Sequence, residues 1–266
     1  KAEEWAKKYG CSKFGSYDDV IDSDVDAVYI SLPIGLHEEW TLKAAKAGKH
    51  VLCEKPLAGV LSDAERMLES ANEKNIAVAI NYVRRYDPGV QSLMNRICSG
   101  EMGVPVKGCV WFSKGIYNNG SHFINLFVDM LGVVKEIKII SSGRLWDRWD
   151  PEPDFRLTFD SGVIYFISVP EENFSYNQVE ILGPKGKVLF EQNGQISCRG
   201  ITADARFDGY TSLQQMTEEI PTDLHRYQYN VLQNLSDFLS GRTSLVCDGA
   251  SGLRTMKVLD GIQRAL

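Results

Sequence analysis

Between residues 26 and 83 the spacing of apolar positions changes four times. "DAVYISL" (26–32) is short, apolar and β-branched, the pattern of a strand buried on both faces of a parallel sheet. "HEEWTLKAAKAG" (37–48) then sets Trp40, Ala44 and Ala47 at helical spacing and stops at Gly48. "HVLCE" (50–54) is a second strand. "SDAERMLESANEKN" (62–75) is a second helix, opened by Ser62 with Glu65 three residues on, the signature of a capping box. "IAVAINYV" (76–83) is a third strand. Strand, helix, strand, helix, strand with short connections predicts a right-handed parallel α/β unit.

Beyond residue 85 the period shortens. "DFRLTFDSGVIYFISV" (154–169) alternates apolar and polar residues about Asp160-Ser161-Gly162, as a hairpin does. "VEILGPKGKVLFEQNGQISC" (179–198) continues with turns at Gly183-Pro184-Lys185-Gly186 and Asn193-Gly194. Helical segments are expected at 121–132, 222–241 and 248–266. The chain therefore divides into a parallel α/β part, residues 1–85, and an α+β part with a mainly antiparallel sheet, residues 86–266. No internal repeat interrupts this plan.

Ligands of a parallel α/β sheet bind outside the carboxyl ends of its strands. Those ends here read "PIGLH" (33–37), "EKP" (54–56) and "VRRY" (83–86), each with polar or charged groups. Lys55 is expected in that crevice, where partial burial tunes an ammonium for hydrogen bonding or acid–base work; a solvated lysine is the plainer reading. His37 is either a helix cap or a ligand contact, and Arg85 either a surface ion pair or a site residue. In the second part, "KGIYNNGSHFINL" (114–126) places His122 just after a glycine-containing turn. It reads as a core or capping residue, or as a proton acceptor beside a lysine.

Composition narrows the class. The 266 residues carry a net charge of -6 and a pI near 5.4, which argues against a nucleic-acid groove or an anionic membrane surface. No apolar run approaches the length of a membrane span. Six cysteines without a C-x-x-C pair fit a reduced, cytoplasmic setting, and four scattered histidines lack metal-ligand spacing, so no metal site is expected. The chain opens at Lys1 inside a helix-like segment, "KAEEWAKKYG" (1–10), which reads as neither a signal nor a transit peptide. A preceding N-terminal segment is expected.

Five blocks together resemble the Gfo/Idh/MocA family of nicotinamide-dependent oxidoreductases. They are "DVDAVYISLPIGLHEEWTLKAAKAGKHVLCEKPLA", "NYVRRYDP", "NNGSHFINL", "VEILGPKGKV" and "DGASGLRTMKVLDGI". The resemblance implies that residues 1–85 are the C-terminal part of a Rossmann domain binding NAD or NADP. Residues 86–266 would then be a substrate-binding and oligomerisation domain with a large open-faced sheet. It also implies catalytic roles for Lys55 and His122, cofactor contacts from Pro33, His37, Glu54, Lys55 and Arg85, and substrate contacts from Asn118 and Asn125. The implied reaction is hydride transfer between nicotinamide and a secondary alcohol of a sugar, sugar derivative or cyclitol, in a homodimer or homotetramer built through the second-domain sheet. A ligand sensor that turns nothing over is the alternative on the same scaffold. The chain departs from the family pattern in three ways. The glycine-rich pyrophosphate loop and the acidic ribose-reading residue are absent from this sequence and would be expected before Lys1, Ile34 stands where asparagine is common, and Asn118 and Asn125 stand where aspartate is frequent.

Overall fold

The computed structural model describes residues 2–11, 13–169 and 174–266, so Lys1 of the first expected helix lies outside the described residues. The chain forms two compact units. The first comprises Lys1–Asn81 and Leu235–Leu253, the second Tyr82–Asn234 and Arg254–Leu266.

In the first unit, helices α1 (Ala2–Tyr9) and α2 (Tyr17–Ile21) precede three strands, β1 (Ala27–Ile30), β2 (His50–Cys53) and β3 (Val78–Ile80), linked by α3 (His37–Lys46) and α4 (Leu61–Glu73). All strand pairs are parallel and the order is β1-β2-β3. Val51, Leu52 and Cys53 are fully buried, as expected of a central parallel strand covered on both faces. Helix α3 turns His37, Trp40, Thr41, Ala44 and Ala45 inward; Ala47, expected on that face, lies past the last helical residue and is exposed.

Two sequence expectations are corrected here. Helix α4 begins at Leu61 with Val60 as an N-cap that makes no side-chain bond, so Ser62 sits inside the first turn and forms no capping box. The capping box that exists is at α2, where Ser16 Oγ accepts from Asp19 N at 3.2 Å and Asp19 Oδ2 accepts from Ser16 N at 2.7 Å. Strand β3 is also shorter than its apolar run, because the chain bends into a 3₁₀ turn, Val83–Tyr86, before Asp87 caps α5 (Pro88–Cys98) by accepting from Val90 N. Residues 235–253 return to the first unit because β3 accepts a late partner. Ile80 N donates to Cys247 O at 2.9 Å, and Ala79 bridges Asp248.

The second unit is built on a nine-stranded sheet. Its strands are β4 (Val106–Phe112), β5 (Glu136–Leu145), β6 (Pro151–Phe159), β7 (Gly162–Ser168), β8 (Gln178–Gly183), β9 (Gly186–Phe190), β10 (Ile196–Ala203), β11 (Thr211–Leu213) and β12 (Glu218–Ile220). The order is β11-β10-β9-β8-β4-β7-β6-β5, with β12 pairing β10. Every pair is antiparallel except β4 with β7. The hairpins turn at Asp160-Ser161 and Pro184-Lys185, where alternation breaks in the sequence. One face is closed by apolar side chains: Phe155 stacks on Phe166 at 4.6 Å, and Phe112 and Phe127 meet the same ring edge-on. Phe127 belongs to α6 (Ser121–Leu131), which is buried on almost every side. On the other face, Trp111, Tyr165 and Leu182 are exposed. Two further helices, α7 (Tyr227–Leu239) and α8 (Gly249–Ala265), complete the chain.

Candidate active site

The carboxyl end of the three-stranded sheet holds a polar cluster. Pairing sets Tyr29 beside Leu52 and Leu52 beside Ala79, so Tyr29, Glu54 and Asn81 share one face by the two-residue period. Glu54 Oε1 accepts from the Tyr29 hydroxyl and from Asn81 Nδ2 (2.7 Å), while Asn81 Nδ2 also reaches the Tyr29 oxygen at 3.0 Å. Burial and then the adjacent Glu54 carboxylate push the Tyr29 phenol well above its ordinary pKa, so it remains a donor to Glu54 throughout the physiological range. Glu54 Oε2 accepts from the backbone N–H of Lys55. The carboxylate is thereby held by groups from all three strands.

Lys55 is half-buried at the same strand end, followed by a cis peptide to Pro56. The turn after it is braced by His37. That imidazole is buried, with Nδ1 3.2 Å from both the Pro56 and Leu57 carbonyls and Nε2 2.9 Å from the Leu32 carbonyl. His37 thus ties the end of β1 to the turn that carries Lys55, and its ring faces backbone, where the resemblance implied a cofactor contact. Pro33 is exposed and starts the 3₁₀ turn Ile34–Leu36.

In the second unit, Arg85 and Asn125 are brought together, but inside the protein. Arg85 Nη1 donates to Asp129 and, at 3.1 Å, to Asn125 Oδ1. Asn125 Nδ2 donates to Thr255 Oγ1 at 2.9 Å, and Arg254 Nη2 reaches the other Asp129 oxygen at 2.7 Å. With 0% exposure and both ends of its amide engaged, Asn125 ties α6 to α8. Arg85 is likewise an internal brace, because its charge is matched by Asp129.

His122 and Asn118 lie on one continuous segment. A π-helical turn, Gly115–Gly120, runs directly into α6, and His122 is in the first turn of that helix with its ring edge-on to Tyr82 at 5.5 Å. Such wide turns recur at functional sites. The Asn118 backbone N–H donates to Asp150 Oδ2 at 3.0 Å, and the residue itself is half-buried on the turn. Tyr117 packs on Trp149 at 5.0 Å, and burial followed by the charges of Asp150 and Asp260 pushes its phenol up to about 12.

Sequence reasoning missed Tyr29, Asn81, Asp129, Asp150 and Glu152. The first two had a usable signal, since strand alternation puts them on the face of Glu54. The acids had none, because their partners lie more than thirty residues away or on another element. Burial pushes the Cys53, Cys98, Cys109 and Cys198 thiols up, away from the thiolate. Among the described residues no group of three or more metal-ligating side chains forms, and no helix is long and apolar enough to cross a membrane.

Residues 1–82 match the Gfo/Idh/MocA model, an oxidoreductase family with an NAD-binding Rossmann fold. A dTDP-3,4-didehydro-2,6-dideoxy-alpha-D-glucose 3-reductase of Streptomyces violaceoruber is 39% identical over 104 residues, which cover 39% of this chain and 30% of that protein. The chain thus spans under a third of that relative. An uncharacterized oxidoreductase of Rhizobium meliloti is 27% identical over the whole chain and 85% of its own length. Among solved structures, UDP-N-acetylglucosamine 3-dehydrogenase GnnA of Acidithiobacillus ferrooxidans superposes with a TM-score of 0.83 at 18% identity, over 100% of this chain and 87% of that one. A levoglucosan dehydrogenase in complex with NADH and levoglucosan gives 0.80 at 17% identity, over 99% and 84%. These likenesses show a shared fold.

Proposed function

We propose that this chain, whose residues 1–82 match the Gfo/Idh/MocA oxidoreductase model and which is 27% identical along its whole length to an uncharacterized oxidoreductase, is an NAD(P)-dependent dehydrogenase or reductase acting on a secondary alcohol of a sugar, sugar derivative or cyclitol. The observation that carries the proposal is the placement of Glu54 and Lys55 at the carboxyl end of β2. There the carboxylate is fixed from all three strands and the ammonium is the next side chain. This donor set suits the ribose and carboxamide end of a dinucleotide. A fixed carboxylate accepts from hydroxyls, and the Lys55 ammonium donates.

When bound, the nicotinamide would supply the hydride acceptor or donor. The chain's own residues would do the rest. Lys55 would donate to the reacting oxygen and stabilise its developing negative charge. His122 would take the hydroxyl proton on oxidation and return it on reduction. Asn118 would orient a neighbouring hydroxyl, a task its amide suits as both donor and acceptor. Glu54 would engage the ribose while Tyr29 and Asn81 hold it still. His37 would act through the backbone by keeping the turn that carries Lys55. We further propose a homodimer or homotetramer formed on the open face of the second-unit sheet, and a reduced cytoplasmic setting. The latter fits six cysteines of which none is in a disulfide among the described residues.

Fluorescence titration of the full-length protein with NADH and NADPH, followed by an absorbance assay against cyclitols, aldoses, anhydrosugars and nucleotide-linked sugars, tests the reading. Saturable binding plus turnover is expected. Lys55→Met should leave dinucleotide binding intact while lowering kcat by roughly 10²–10³-fold, the effect of removing one charge-stabilising donor. Full turnover in that variant would remove Lys55 from the mechanism, and binding without turnover of any substrate would favour a sensor.

A further inference from the structure

The segment bearing Asn118 and leading into His122 has an unusual backbone. Lys114 (φ +64°) and Gly115 (φ +83°) are consecutive left-handed residues, and Gly115 opens the π-helical turn. Backbone N–H groups in such a run converge to one side and make an anion-binding concavity. Two of the protein's own carboxylates fill it. Glu152 Oε1 accepts from Lys114 N at 2.5 Å and from Gly115 N at 3.3 Å. Asp150 accepts from Tyr117 N through Oδ1 and from Asn118 N through Oδ2, each at 3.0 Å. Arg144 Nε meets the second Glu152 oxygen at 2.8 Å.

Both carboxylates are 1% exposed. Burying two acids is costly unless they are satisfied by hydrogen bonds and charge, and here four main-chain donors and a guanidinium do so. The fit is close: a side chain at Gly115 would collide with the Asp150 carboxylate. A turn that needed only to connect β4 to α6 would not require two buried anions.

We propose that Asp150 and Glu152 are positioning residues that lock the 114–118 turn into the single geometry in which Asn118 and His122 are presented to substrate. This rests on the dehydrogenase reading above. Neither acid touches the reacting atoms; each acts through the backbone of the turn. Asp150 is the sharper case, because its two oxygens grip the peptide of Asn118 itself and the one before it.

The test compares Asp150→Asn with Asp154→Asn in the full-length protein. In Asp150→Asn the new amide group would present an N–H toward one of the two backbone donors from which the carboxylate accepts. Asp154, on strand β6 just after Asp150, accepts from Ser168 N and Oγ at 2.8 and 3.0 Å and serves as a matched loss of hydrogen bonds away from the turn. For Asp150→Asn we expect amide exchange at Tyr117 and Asn118 to rise about tenfold or more and kcat to fall by about 10²-fold, the cost of a misplacement near 1 Å. The dissociation constant for NADH should stay within about twofold of wild type, as expected if the dinucleotide contacts lie elsewhere. Asp154→Asn should lower the melting temperature comparably yet leave kcat and exchange at the turn unchanged. Unchanged kcat in Asp150→Asn, with or without faster exchange, overturns the proposal, as does an equal loss of kcat in Asp154→Asn. Wild type that binds NADH but turns over no substrate instead defeats the dehydrogenase reading. That failure appears in the wild-type arm, and exchange at Tyr117 and Asn118 still reports whether Asp150 holds the turn.

Discussion

Glu54 and Lys55 are adjacent in the chain and differ in what holds them. Glu54 is fixed from three strands, and His37 sets the turn that aims Lys55. The pair was legible in the sequence because a charged dipeptide ending an apolar strand is chemically conspicuous. Tyr29 and Asn81 left only the weaker signal of strand alternation, because a tyrosine and an asparagine in strand-like runs look like ordinary packing until register places them against the carboxylate. Asn118 shows how one residue tunes another. It stands four positions before His122, on the same helical face, and supplies no charge. Asn118→Asp would add an anion that stabilises the imidazolium and raises the pKa of His122. A base with a raised pKa is protonated, and so inactive, up to a higher pH. The acidic limb of the kcat/KM profile for alcohol oxidation should therefore move to higher pH in that variant, by about one unit for a nearby carboxylate. A limb that does not move, or moves down, would place the Asn118 side chain away from the imidazole.

At the scale of elements, the parallel strands and their connecting helices were readable from period alone, and so were the two tight hairpins. Strand β5 was not, because its residues 136–145 are mostly exposed and bulged, which erases alternation. The role of Arg85 and Asn125 was also hidden, since the partner that decides it, Asp129, sits on the next turn of α6. That helix is pinned by a chain of polar contacts running from Arg85 through Asn125 and Asp129 to Thr255 and Arg254. Asp129 is the anion these contacts share, and its side chain is 10% exposed between two guanidinium groups. Asp129→Asn keeps the shape but leaves Arg85 as a buried cation without its counter-charge. The expected loss is about 3–5 kcal/mol of unfolding free energy, read from urea denaturation. Replacing both partners, Arg85→Met with Asp129→Leu, removes the uncompensated charge and should cost less than Asp129→Asn alone. Equal or additive losses would show that packing of these side chains, and not their charge, sustains α6.

For the whole molecule, the sequence conveyed a parallel α/β part followed by a sheet-rich part, but not that residues 235–253 rejoin the first unit. Nothing local marks a return that is defined by a backbone bond to Ile80. The open face of the large sheet is what remains to be explained at this scale. Register places Tyr165 beside Cys109, Trp111 beside Gln178 and Leu182 beside Lys107, so the exposed Trp111, Tyr165 and Leu182 all point away from the packed phenylalanine face. Large apolar side chains gathered on one uncovered sheet face mark a protein–protein surface more often than a solvated one. A two-fold interface needs one self-complementary patch, and a stable dimer buries roughly 800 Å² per partner. Tyr165→Arg sets a charge in the middle of that patch, opposite its own copy if the axis passes nearby, while leaving the buried face of β7 untouched. Light scattering coupled to size-exclusion chromatography should show the wild type at twice or four times the protomer mass and the variant shifted toward the monomer. A wild type that stays monomeric at micromolar concentration, or a variant that keeps the wild-type mass, would mean that this face is not where copies of the chain meet.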